Sequence, residues 1–92
     1  MYDIEKKSER ARSDILAERF RQHEKWGVQR HTYAYYGHIL GEEMGEVSKE
    51  IIEMGNSRAD LKKLRGELVH VAAVAVAIIE QIDEALYPEE GK

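Results

Sequence analysis

Leu68-Val69-His70-Val71-Ala72-Ala73-Val74-Ala75-Val76-Ala77-Ile78-Ile79 has one polar side chain, His70, in an otherwise apolar run. A helix that is apolar nearly all round must be covered on several sides. Its unbroken part, Val71 to Ile79, is about half of the ~20 residues needed to span a bilayer. Burial within protein is therefore the expectation, and no membrane span is predicted. The 92 residues make one domain. A chain of this size buries only about 60–65% of the surface its unfolded form exposes, so its core is thin. The sequence accordingly predicts an all-α fold: residues 1–92 form three helices, with helices two and three pairing across a homodimer into a four-helix-bundle core.

The flanking residues set the helix limits. Ser57-Arg58-Ala59-Asp60 resembles a capping box with Asp in place of Glu. The third helix is predicted from about Arg58 to Leu86, ended by Pro88. Thr32 is a suitable N-cap for a second helix reaching about Met54, with Gly55-Asn56 as its stop. Gly37, Gly41 and Gly45 recur every four residues along it. Each glycine costs the helix about 0.8–1 kcal/mol relative to alanine. Their regular spacing predicts a cleared flank approached by another backbone or a ligand, with Ile39, Leu40, Val47 and Ile51 supplying apolar contact. A first, amphipathic helix is predicted over residues 3–24 from the spacing of Ile4, Ala11, Ile15, Leu16 and Phe20. Lys25 to His31 loses the period and is expected as a loop, with Gly27 as the stop.

Composition narrows the function classes. With 42% hydrophobic and 35% charged residues, the chain has the balance of a folded, soluble, salt-rich helical protein. Cysteine is absent, which excludes disulfides and thiolate metal sites. Met1 to Lys7 is charged where a signal peptide would be apolar, and a cytoplasmic location is expected. The first 31 residues hold eight Lys/Arg against six Asp/Glu, whereas residues 32–56 hold only Lys49 against five glutamates. No basic stripe is present, so nucleic acid is not an expected partner. An acidic centre repels phosphates unless metal ions invert the local charge.

That acidic centre is Gly41-Glu42-Glu43-Met44-Gly45-Glu46. Glu43 and Glu46 stand three apart, so a helix places their Cβ atoms about 5–6 Å from each other on one face. Like charges at that spacing destabilise a helix by roughly 0.2–0.5 kcal/mol, which a hard cation collecting oxygen ligands would offset. Glu67 and His70 repeat the spacing at the head of the apolar run. If helices two and three pack antiparallel, Glu43, Glu46, Glu67 and His70 can supply a divalent-metal site. An ionised Glu67 beside apolar neighbours needs some such partner.

These residues carry a resemblance. Gly41-Glu42-Glu43-Met44-Gly45-Glu46, the spacer 47–66, and Glu67-Leu68-Val69-His70 resemble the EExxE and ExxD signature of the MazG-like, all-α nucleoside triphosphate pyrophosphohydrolases. Glu18 to Gly27 (Glu18-Arg19-Phe20-Arg21-Gln22-His23-Glu24-Lys25-Trp26-Gly27) is also similar to small phage-type members, and the likeness covers roughly residues 13–83. It implies a homodimer, sometimes a dimer of dimers, that hydrolyses a (d)NTP to the monophosphate and pyrophosphate with Mg²⁺, Mn²⁺ being possible. Glu43, Glu46 and Glu67 match its metal-binding acids, and Trp26 and His31 sit where related enzymes place nucleotide contacts. Within such a mechanism Glu46 or Glu42 would accept the proton of an attacking water. Lys25 and Arg30 would hold outer phosphates. Trp26 would stack on the base, for roughly 1–3 kcal/mol, or else cap the end of the bundle. His70 departs from the family, which has Asp there, and imidazole suits Mn²⁺ or Zn²⁺ better than Mg²⁺.

Two other classes fit parts of the pattern. Glu67-x-x-His70 has the Glu-x-x-His spacing of carboxylate-bridged di-metal bundles, although three glutamates at 42, 43 and 46 exceed the one such a helix needs. An inactive bundle serving nucleotide sensing or protein interaction is the other, and the departure at His70 supports it.

Overall fold

The structure, a computed structural model, describes residues 1–89. These form three helices: α1 (Ile4–Trp26), α2 (Tyr33–Glu53) and α3 (Arg58–Leu86). Each begins at a side-chain cap that accepts an otherwise orphaned backbone N–H. Asp3 accepts from Lys6, Thr32 from Tyr35 and Ser57 from Asp60, at 3.2, 3.1 and 3.1 Å. The expected caps Thr32 and Ser57 are thus in place. Gly27 ends α1 with φ 69° and gives its N–H to the His23 carbonyl at 2.7 Å. Lys25 and Trp26, expected in the loop, form the last turn of α1. Nothing in their backbones opposes a helix, and the stop falls at the glycine itself. Met54 caps α2 one residue beyond Glu53, its N–H bonded to the Glu50 carbonyl at 2.8 Å.

Ion pairs between helices fix their directions. Asp14–Arg65 at 2.8 Å and Glu18–His70 at 3.5 Å advance together along α1 and α3, so these helices run parallel. Glu43–His70 at 3.7 Å and Glu50–Lys63 at 3.5 Å advance in opposite senses, so α2 is antiparallel to α3. The backbones of α1 and α2 make no close approach to each other, and α3 lies between them. The only residues buried within the described chain are Tyr36 and Val47 of α2 and Ala73 and Val74 of α3. The α1 helix contributes none of these, and Asp14–Arg65, Glu18–His70 and Arg19–Glu80 tie it to α3.

The result is open rather than globular. Its radius of gyration is 15.3 Å, against about 12 Å for a compact chain of this length. The accessible surface is 7506 Å², where a compact monomer of this mass has roughly 5500 Å². The excess, on the order of 2000 Å², includes many apolar side chains: Phe20 is 63% exposed, Ile52 82% and Ile79 53%. Within Val71–Ile79 only Ala73 and Val74 are buried, so one chain alone does not give the all-round cover expected there. Nor does any backbone of the same chain approach the glycine flank: a Cβ built at Gly37, Gly41 or Gly45 meets nothing within 4 Å. No helix among the described residues is long and apolar enough to cross a membrane.

Candidate functional site

The antiparallel register of α2 and α3 brings the two i,i+3 pairs level. Glu43 faces His70, and Glu50, seven residues further along α2, faces Lys63, seven residues earlier on α3. Glu46 and Glu67 therefore fall at one level between these contacts. Their conditions differ: Glu46 is exposed, while Glu67 is half-buried with its Oε2 out of contact with water and without any hydrogen-bond partner. A buried, unpaired carboxylate oxygen costs free energy, about 1–3 kcal/mol or more when charged, unless something absent from the single chain satisfies it.

His70 is the hub between the three helices. Its Nε2 lies 3.7 Å from Glu43 Oε1, and its Nδ1 lies 3.5 Å from Glu18 Oε2 of α1. Only a protonated imidazole can donate to both acids, because a neutral ring keeps one nitrogen as an acceptor. The Glu18 carboxyl is held below its ordinary value of 4.5, chiefly by the hydrogen bond it accepts from the Arg21 guanidinium. Partial burial opposes this, and His70 adds a smaller lowering contribution. Among the described residues no group of three or more His, Asp or Glu side chains stands in an arrangement that could hold a metal ion. Glu43 and His70 are in contact, Glu67 is one turn away with its orphaned oxygen, and Glu46 is exposed.

Beside His70 opens a cavity of about 420 Å³ between the C-terminal half of α1, the 27–32 connection, the start of α2 and α3. The α3 side follows helical spacing, through His70, Val74, Ala77, Gln81 and Glu84. From α1 come Arg19, Gln22, His23 and Trp26, and from the far side His31, Tyr35 and Tyr36. The His31 ring stacks on Tyr35 (centroids 4.8 Å apart, planes at 14°) and meets Tyr36 edge-on at 5.1 Å. An aromatic-walled cleft with a few polar groups is the usual make-up of a small-molecule site.

Of the residues singled out in the sequence, Trp26, His31 and His70 line this cavity. Lys25 instead lies over the Trp26 ring, 4.7 Å from its centroid. Arg30 pairs with Glu84 at 2.9 Å. Glu42 is exposed and pairs with His38 one turn earlier on α2, at 3.1 Å. Sequence reasoning did not single out Glu18, Arg19, Gln22, Tyr35, Tyr36, Glu80 or Gln81 as site residues. A helical-spacing signal did exist: positions 19, 22, 23 and 26 share a face of α1, as do 70, 74, 77, 81 and 84 on α3. No known family model, curated protein or solved structure matches the chain.

Proposed function

We propose that this chain is a metal-dependent nucleoside triphosphate pyrophosphohydrolase acting as a homodimer, its metal site on α2 and α3 and its nucleoside site in the adjoining aromatic cavity. The observation that carries this reading is the orphaned Glu67 Oε2, buried one turn from His70, which touches Glu43 and lines that cavity. A carboxylate donor set of this kind suits a hard divalent cation, Mg²⁺ or Mn²⁺. Glu43, Glu46 and Glu67, which are not gathered around one point in the single chain, would hold it once Glu43 is released from His70 and the three converge. When bound, such an ion would neutralise the triphosphate and lower the pKa of a coordinated water. The chain's own residues supply the rest. Trp26 and the His31–Tyr35 stack offer flat faces to a base, and Arg19, Lys25 and Arg30 are cations near the cavity for outer phosphates. Water adds to the α-phosphorus, the bond to the α,β-bridging oxygen breaks, and pyrophosphate leaves. Exposed Glu46 is the better placed proton acceptor, since Glu42 is engaged with His38. The similarity of the Glu42–Glu46 and Glu67–His70 segments to MazG-like enzymes supports the same reading.

The dimer is supported by the surface. An excess of roughly 2000 Å² per chain exceeds the ~800 Å² each partner buries in a standard interface. The open glycine flank on α2 is a place for a second copy's helix.

One observation favours a second reading, a bundle that keeps this fold without hydrolysis. His70 already occupies Glu43 and Glu18, where a ligand set would need Glu43 free. Product analysis decides between them. The eight common NTPs and dNTPs, incubated with Mg²⁺ or Mn²⁺, should yield monophosphate and pyrophosphate. Diphosphate with orthophosphate, or no turnover with either ion, refutes the pyrophosphohydrolase assignment.

A further inference from the structure

The 27–32 connection lines the cavity through Gly27, Val28, Gln29 and His31 yet has no regular secondary structure of its own. One side chain grips its backbone from both sides. Gln81 of α3 donates from Nε2 to the His31 carbonyl oxygen at 2.8 Å, and its Oε1 accepts the His31 N–H at 3.2 Å. A paired donor and acceptor on one residue fixes the orientation of both its peptide planes, as a rung between two strands does. The two ends of the connection are held by helix caps, Gly27 giving its N–H to the His23 carbonyl at 2.7 Å and Thr32 accepting from Tyr35 at 3.1 Å; between them, Tyr36 Oη reaches the Gln29 carbonyl at 3.5 Å and the Arg30–Glu84 pair is exposed on both sides. The His31 backbone, and with it the ring stacked on Tyr35, is thus held directly by Gln81 and at the next residue by the Thr32 cap.

We infer that Gln81 is a positioning residue for nucleobase binding, acting through His31: its bidentate amide holds the His31–Tyr35 stack as a preformed wall of the cavity that Trp26 also lines. This rests on the nucleotide reading of the cavity given above. The physical reason is preorganisation. A loop that must be ordered when ligand arrives spends part of the binding free energy on ordering, and one held in advance does not. The amide group is suited to the task because it alone presents a neutral donor and acceptor side by side, matching a backbone N–H and C=O. A carboxylate at the same position would lose the donor and face the His31 carbonyl with like charge.

Gln81→Met keeps the length and helix propensity of the side chain and removes both bonds. Gln81→Ala repeats the test should methionine disturb packing. Trp26 is the single tryptophan, so its fluorescence reports occupancy of the cavity directly. The probes are the Mg²⁺ salts of α,β-methylene nucleoside triphosphates for binding and of the natural triphosphates for turnover. Loss of two hydrogen bonds predicts that Kd and KM rise about tenfold or more, with kcat within about threefold of the parent. Exchange of the His31 amide should quicken while amides inside α2 and α3 stay protected. A lower melting temperature with Kd and KM unchanged would make Gln81 a purely structural residue and overturn the inference. A fall in kcat at constant KM would overturn it as well. If the parent protein neither binds nor hydrolyses any of the nucleotides, the nucleotide reading itself fails and this inference with it. Binding by the parent with an unaltered variant sinks the inference alone.

Discussion

Replacing Glu67 with methionine should stabilise the metal-free protein and abolish its stabilisation by divalent ions. Methionine matches the length of glutamate and suits a helix. It removes the one orphaned carboxylate oxygen while filling the same space. An unsatisfied buried acceptor costs about 1–3 kcal/mol, more if charged. Because only one of the two oxygens is orphaned, the expected gain is about 1–2 kcal/mol. For a chain of this size the unfolding entropy converts each kcal/mol into roughly 5 °C, so the variant should melt about 5–10 °C higher without metal. In the parent, Mg²⁺ or Mn²⁺ at one hundred times its Kd should add about 2.7 kcal/mol, and in Glu67→Met none. The assay is thermal unfolding at one fixed protomer concentration, since dimerisation makes the melting point concentration-dependent. A variant that melts lower than the parent without metal would show that the carboxylate is already satisfied. A metal-dependent shift that survives the substitution would remove Glu67 from the ligand set.

Three further outcomes are expected. At Gly41 and Gly45 an added Cβ meets nothing within 4 Å, and leucine has the better helix propensity, by about 0.6–1 kcal/mol; Gly45→Leu should nevertheless shift sedimentation toward monomer, whereas a higher melting point with an intact dimer would make the glycines incidental. Glu18 has a carboxyl lowered from 4.5, so the stability it contributes is fully present above about pH 4.5 and is lost as pH falls through the lowered value; Glu18→Gln should flatten the melting-point profile in that acidic range and leave its shape above pH 5 unchanged. His70→Asp removes the group that engages Glu43 and adds a carboxylate, so it should strengthen Mg²⁺ binding by calorimetry at least tenfold; unchanged affinity would place position 70 outside the metal shell.

Local chemistry made the helices legible. A capping residue acts within four positions of itself, so Thr32 and Ser57 could be read as helix starts from their neighbours alone. The same holds for Gly27, whose left-handed φ ends α1. The misreading of Lys25 and Trp26 as loop came from trusting hydrophobic periodicity at a helix end. At that end the α1 side chains turned toward the cavity include the polar Arg19, Gln22 and His23, which give no apolar period. Phe20 and Leu16, which supplied the period, remain largely exposed in the single chain. The apolar pattern thus predicts surfaces that need cover, but not whether the cover comes from the same chain.

The site was legible only where its parts lie on one helix. The i,i+3 pairs Glu43/Glu46 and Glu67/His70 follow from spacing, and the antiparallel register that sets them level was a conditional expectation that α2 and α3 meet. What spacing could not give is the third helix. Glu18 reaches His70 because α1 runs parallel to α3, a relation that depends on the length and path of the 27–32 connection. That connection is in turn held by Gln81, some fifty residues away in sequence. The same tertiary fact gives His70 its double character. As an imidazole flanked by acids from two helices whose backbones make no close approach, it can tie α1 to α2 across α3. To join a metal shell it would have to give up at least the contact with Glu43. An aspartate in its place could ligate a cation but could not bridge two carboxylates without one, so the substitution exchanges a bridge between helices for a ligand.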